Sequence, residues 1–224
     1  MDNGKNPLGV FYLDGEKAFF YQKGLKSLKT LSFSPNTFTV GEIINAELFI
    51  EAIQTFLHQI NIKPTDILVI LSTRMTFDSD FPEQITLNTD EEMKRFLELV
   101  PFEESISKLF KLQKKSKVIA ANKELSDNMK IAFEKLGFKI TGIIPYSILR
   151  EIYPDLASNI SLEKITERID AIKKYNILHA DIIINENVET KEKNNNKGRL
   201  LLLIGVFGVL FIVLIFTIIN SANS

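Results

Sequence analysis

Twenty consecutive residues, Leu200 to Ile219, carry no charge, and seventeen of them are Leu, Ile, Val or Phe. The exceptions are Gly205, Gly208 and Thr217. As a helix rising ~1.5 Å per residue the run is ~30 Å long, the thickness of a bilayer's hydrocarbon core. At roughly −0.3 to −0.6 kcal/mol per apolar residue, insertion is favourable by about 5 to 10 kcal/mol. The competing reading, a buried core helix, would need polar turns on one side and more chain to cover it, and only Asn220 to Ser224 follows. Lys191, Lys193, Lys197 and Arg199 precede the run and no charge follows it. That asymmetry predicts a single-pass protein of the cytoplasmic membrane, with its N-terminal part in the cytoplasm. No apolar signal region opens the chain.

The remaining composition is that of an ordinary globular domain. The formal charge is −1, from 27 basic and 28 acidic residues, and a general nucleic-acid binder would show a basic excess. Cysteine is absent, which excludes disulfides, thiolate metal sites and cysteine nucleophiles. About 150 residues before the tail suffice for one good core.

Period and punctuation predict the elements. Leu8–Leu13 and Glu16–Tyr21 flank Asp14-Gly15 and read as a β-hairpin. Leu25 to Phe33 reads as a third strand. Leu48, Ile53, Phe56, Leu57 and Ile60 recur at helical spacing over 46–60. Asp66–Leu71 is a continuous apolar run, the pattern of a buried central strand. Glu91–Leu99 reads as a helix with Thr89 and Asp90 at its N-cap and first turn. Lys117–Ala121 reads as a second buried strand, Ser126–Leu136 as a helix with Gly137 at its C-terminal cap, and Phe138–Ile144 as a third buried strand. The whole is an α/β sheet led by an antiparallel meander and interrupted by an excursion from Met75 to Gln113. Leu162, Ile165, Ile169 and Ile172 form one apolar stripe, either packing on the domain or associating with itself in a homo-dimer. Residues 1–155 are therefore expected as the α/β domain, 156–180 as an amphipathic helix, and 181–199 as a short strand (Ile182, Ile183, Ile184) and polar tether. The spanning helix takes 200–219 and an outer stub 220–224.

Catalytic signatures are missing: no phosphate-binding loop, nucleophile elbow or dinucleotide glycine fingerprint appears. His58 and His179 have no second ligand at helical spacing and read as ordinary histidines. Asp78 and Asp80 could hold a hard cation, but two carboxylates without further oxygens are a poor cage. No enzyme activity, metal or cofactor is expected.

Phe77-Asp-Ser-Asp-Phe-Pro82, the acidic stretch Glu91 to Glu103 with its Pro101-Phe102 turn, and Val118 to Glu124 ahead of a helix together resemble the actin-like PilM family of type IV pilus assembly. The similarity runs over residues 8 to 150. It implies a partial actin-like, ribonuclease H-like lobe, and related secretion platforms carry such a fold ahead of one transmembrane helix. The family's nucleotide loops are not matched. The first hairpin closes on Asp14-Gly15-Glu16-Lys17, too tight to wrap a phosphate, and the second Asp-x-Gly hairpin and the Gly-Gly adenosine loop are missing. The resemblance implies a non-hydrolysing, non-enzymatic scaffold of a pilus or type II secretion-like platform. Its partners would be PilN-like or PilC-like membrane proteins or the motor ATPase. Contacts are expected at exposed apolar residues around Phe96, Val100 and Phe102, and at the Ile182–Ile184 strand, which resembles the PilN segment that PilM grips. Two alternatives stand beside it: an actin-like protein whose ATP-bound state gates assembly, and a tail-anchored adaptor unrelated to pili.

Overall fold

The computed structural model describes residues 8–83, 87–156 and 160–178. Strands β1 (Gly9–Asp14), β2 (Lys17–Gln22) and β3 (Lys29–Ser32) form the expected meander. Asp14 pairs with Lys17, so the two loop residues are Gly15 and Glu16 rather than Asp14 and Gly15. Gly15 takes φ +58° and Glu16 does not take a positive φ, the sign pattern of a type II′ turn. The third strand starts at Lys29, not Leu25, because the Leu25 N–H turns back to the Gln22 carbonyl at 3.0 Å. A short hairpin, β4 (Phe38–Thr39) and β5 (Glu42–Ile43), leads to helix α1 (Ala46–Ile60), which matches the predicted bounds. Asn45 caps α1 by accepting from the Leu48 N–H at 3.0 Å.

Next come β6 (Asp66–Leu71), β7 (Thr76–Pro82), α2 (Leu87–Glu98), β8 (Ser105–Lys111), β9 (Lys115–Asn122), α3 (Lys123–Glu134), β10 (Lys139–Pro145) and α4 (Tyr146–Ile152). Helix α2 starts before Glu91, which places Thr89 and Asp90 inside its first turn rather than at its cap. Helix α3 starts at Lys123, not Ser126, because Asn122 at the end of β9 caps it through the Leu125 N–H. At its other end Gly137 takes φ +80°, its N–H bonding Glu134 and the Phe138 N–H bonding Phe133. This is a Schellman closure, and Phe138 and Phe133 supply its usual apolar contact, edge to face at 6.2 Å.

The main sheet has the order β3-β2-β1-β6-β10. β2 is antiparallel to β1 and β3, while β1, β6 and β10 are parallel. Counting strands within this sheet gives 3-2-1-4-5 with the second reversed, the arrangement expected of a ribonuclease H-like lobe. Phe11 meets Phe133 of α3 edge on at 5.2 Å, whereas its neighbour Tyr12 faces Tyr146 of α4 at 6.0 Å. The sheet is therefore covered on both sides, which is why Val10 to Leu13 and Ile67 to Leu71 are all buried.

The strand at Lys117–Ala121 does not belong to this sheet. It is the centre of a second, antiparallel sheet ordered β7-β9-β8, into which the Met75–Gln113 excursion folds. One face of that sheet carries Phe81 and Val118 against Met93 of α2, with Phe96, Leu97 and Leu109 alongside. The other sends Phe110, Ile119 and Ala121 into the main core. A strand covered on both faces reads as a continuous apolar run whichever sheet holds it.

The apolar stripe after Ser161 is carried by two short helices, α5 (Leu162–Glu167) and α6 (Ile169–Ile172), not by one. Leu162, Ile165 and Ile172 are buried in the main core, so the stripe packs on the domain. Asn176 and Ile177 then run beside β10. The Ile177 N–H donates to the Ile143 carbonyl at 2.9 Å, and the Asn176 side-chain oxygen accepts from the Ile143 N–H at 2.8 Å. The readings for His179, the Ile182–Ile184 strand, the tether and the Leu200–Ile219 run lie outside the described residues. Among the described residues no helix is long and apolar enough to cross a membrane.

Candidate functional site

Ligands of open α/β sheets sit beyond the carboxyl ends of the parallel strands. Here those ends are Asp14-Gly15 after β1, Ser72 to Arg74 after β6, and Tyr146-Ser147 after β10. The Ser72 N–H donates to the Leu13 carbonyl at 2.9 Å, which ties the first two ends together. The Arg74 guanidinium lies over the β1–β2 turn, so close that a Cβ on Gly15 would stand 3.0 Å from its Cζ. Thr39 of the β4–β5 hairpin donates to the Glu16 carboxylate at 3.4 Å from the other side. A two-residue turn set beside an arginine and a second hairpin is too short to wrap a phosphate chain.

Tyr12 lies beneath this end of the sheet. Burial first, then the Asp14 carboxylate, pushes its phenol well above the ordinary tyrosine range. It stays a neutral, packed ring between Phe19 and Tyr146. The Tyr146 hydroxyl donates to the Leu156 carbonyl.

A polar cleft of about 430 Å³ opens between this end and the second sheet, lined by Thr73, Asp78, Lys117, Ser147, Arg150 and Glu151. Its floor is an ion cluster. Lys117 Nζ stands 2.8 Å from Asp78 Oδ2, 2.7 Å from Asp80 Oδ1 and 3.7 Å from Glu151 Oε1. Lys115 Nζ stands 2.7 Å from Asp80 Oδ2 and 2.8 Å from Glu151 Oε1. Burial opposes ionisation of Asp80, but the two ammonium groups outweigh it and hold the carboxyl below its usual range. Burial likewise works against the Lys117 cation, and Asp78 and Asp80 reverse it, so its pKa is raised. The buried Ser147 hydroxyl makes no hydrogen bond among the described residues.

Asp78 and Asp80, read above as a weak cation site, are thus satisfied by lysines. Among the described residues no group of three or more His, Asp or Glu side chains is placed to hold a metal. His58 is an exposed residue of α1. Of Phe96, Val100 and Phe102, expected at an exposed apolar surface, Val100 alone is buried, and Phe96 and Phe102 are partly exposed. Phe96 stacks on Phe77 at 5.3 Å and meets Phe81 edge on at 6.1 Å. The apolar residue that does stand out there is Leu99, 73% exposed. Sequence reasoning missed the partners of the acidic pair, although a signal was present. Asp78 and Asp80 are two apart, as are Lys115 and Lys117, the same-face period of a strand.

No protein-family model matches the sequence, and no curated protein matches it. The solved structures similar to it include the following three. A PilM–PilN type IV pilus biogenesis complex is 16% identical, with 67% of this chain and 51% of that one covered, at a TM-score of 0.46. The cytoplasmic domain of EpsL, an inner-membrane component of the type II secretion system of Vibrio cholerae, is 10% identical, with 62% and 57% covered, at 0.38. A Bacteroides thetaiotaomicron protein with an actin-like ATPase fold and unknown function is 10% identical, with 63% and 55% covered, at 0.36. The chain thus spans little more than half the length of these structures. None reaches a TM-score of 0.5, and strand order rather than these likenesses defines the class: a ribonuclease H-like α/β lobe with a second antiparallel sheet inserted before its last strand.

Proposed function

We propose that the chain is a non-enzymatic, membrane-anchored scaffold of a type IV pilus or type II secretion-like inner-membrane platform. One observation carries this reading. The three segments that resemble the PilM family become β7, α2 with its Pro101-Phe102 turn, and β9 running into α3. Strands β7 and β9 and helix α2 fold together as one inserted unit, from which β9 runs into α3 of the main lobe. The unit is held to α4 by the Lys115 and Lys117 ion pairs with Glu151. An insertion of this kind adds surface for partners and no phosphate loop, and the tight Gly15-Glu16 turn supports a lobe that works without nucleotide. The Leu200–Ile219 run would fix that surface at the membrane. PilN-like and PilC-like proteins and the motor ATPase are the partners this reading assigns.

The test is crosslinking and capture of the full-length tagged chain from its own cell membranes, beside calorimetric titration of the same preparation with magnesium-ATP. A platform component in the capture and no heat of nucleotide binding is the expected result. Micromolar ATP binding would overturn the nucleotide-free part, and capture devoid of envelope-machine components the scaffold itself.

A further inference from the structure

The main sheet has a second end, opposite the cleft, where the β2–β3 loop, the α1–β6 connection and the α3–β10 connection meet. Register places them side by side. Gly9 pairs with both Gln22 and Ile67, Lys139 pairs with Asp66, and the Lys139 N–H donates to the Thr65 carbonyl at 3.2 Å. Pro64 lies 3.5 Å from where a Cβ on Gly137 would stand. This end presents Lys23, Lys26, Lys63, Lys135 and Lys139, all exposed. None of the five has an ion-pair partner among the described residues. Asp66, half-buried, and Glu134 are the acidic residues among the same connections. With strands ~4.8 Å apart, the lysines spread from the end of β2 to the start of β10, three spacings or about 15 Å. Leu28, in the same loop as Lys23 and Lys26, is 49% exposed.

We propose that this lysine-bearing end of the sheet is the face that lies against an anionic bilayer surface. The inference rests on the reading that Leu200–Ile219 spans the membrane. The 21 residues between Leu178 and Leu200 can reach at most ~75 Å when extended. Such a tether holds the domain near the bilayer and lets any face meet it, so surface charge selects the face. Each lysine at an anionic leaflet gains roughly fivefold in binding, within a screening distance of about 8 Å at physiological salt. Leu28 would enter the headgroup boundary beside Lys23 and Lys26, as apolar residues between basic ones do at membrane interfaces. The inserted sheet leaves the lobe at the other end, where β6 runs into β7. Its acidic helix, with Asp90, Glu91, Glu92 and Glu98, would be repelled from the same leaflet and left open to partners.

The full chain in phosphatidylcholine nanodiscs, with and without phosphatidylglycerol, tests this by lysine acylation mapped by mass spectrometry. Lys23, Lys26, Lys63, Lys135 and Lys139 should be labelled about threefold or more slowly on the anionic discs, with the difference removed by high salt, while Lys94 and Lys114 are unaffected. In a K63E/K135E/K139E variant Lys23 and Lys26 should lose that protection. Equal labelling of the five on both lipids, or equal slowing of Lys94 and Lys114, overturns the proposal. A chain that does not enter neutral discs refutes the anchor instead, and the labelling pattern on anionic vesicles then still decides the face.

Discussion

Lys117 on β9 and Asp78 on β7 meet at 2.8 Å across antiparallel strands, with the lysine side chain only 9% exposed. One nearly buried cation therefore bridges an acidic pair and, with Lys115, joins the inserted sheet to α4. Lys117→Met removes that cation and strips Asp78 of its ion pair, while Asp80 keeps only Lys115. Breaking a fully buried pair costs about 3 to 5 kcal/mol; partial hydration of the two carboxylates lowers the expected loss to about 2 kcal/mol. Urea denaturation measures it, and a loss under about 0.5 kcal/mol would mean that water already screens the pair.

The same cluster sets a pH dependence. The folded-state pKa of Asp80 lies below its unfolded value, so its contribution is present above the ordinary carboxylate pKa of about 4 and is lost as pH falls through the lower folded value. The pKa values of Lys115 and Lys117 are raised, and their contributions are complete below about 10.4 and lost as pH rises through the higher folded values. Asp80→Asn should flatten the stability profile at the acid end, measured by denaturation as a function of pH. An unchanged acid slope would show that Asp80 is not linked to folding.

At the β1–β2 turn, Gly15→Ala meets two obstacles, φ +58° and the Arg74 guanidinium. About 1 to 2 kcal/mol of destabilisation is expected. Adding Arg74→Ala should relieve the crowding and not the backbone cost, so thermal melting of the double variant recovers only part. Full recovery would mean that the turn conformation costs nothing.

Asn176 closes the outer edge of β10 by accepting from the Ile143 N–H at 2.8 Å and the Leu178 N–H at 2.8 Å. Asn176→Ala leaves both donors without this partner and should cost about 1 to 3 kcal/mol. Hydrogen exchange at Ile143 should accelerate accordingly, and unchanged protection would show that another group covers the edge.

Helix α1 and strand β6 were legible to the residue because local signals agreed: apolar residues at helical spacing through Ile60, then a continuous aliphatic run to Leu71. The start of α3 was not, since Asn122 ends an apolar strand and serves as cap in the same position. The acidic pair was visible and its meaning was not, since Lys115 and Lys117 lie more than thirty residues away along the chain.

Local order alone determined the antiparallel meander, the tight first turn, the buried parallel strands and the uncharged run at Leu200–Ile219, because each depends on neighbours within a few residues. Only the tertiary structure decided that Val118 to Ala121 belongs to a second sheet, that Phe96 packs on Phe77, and that five lysines from three connections share one end of the lobe. Those outcomes are pairings between segments distant in sequence. A strand's own residues state that both its faces are buried, and they do not state against which partner.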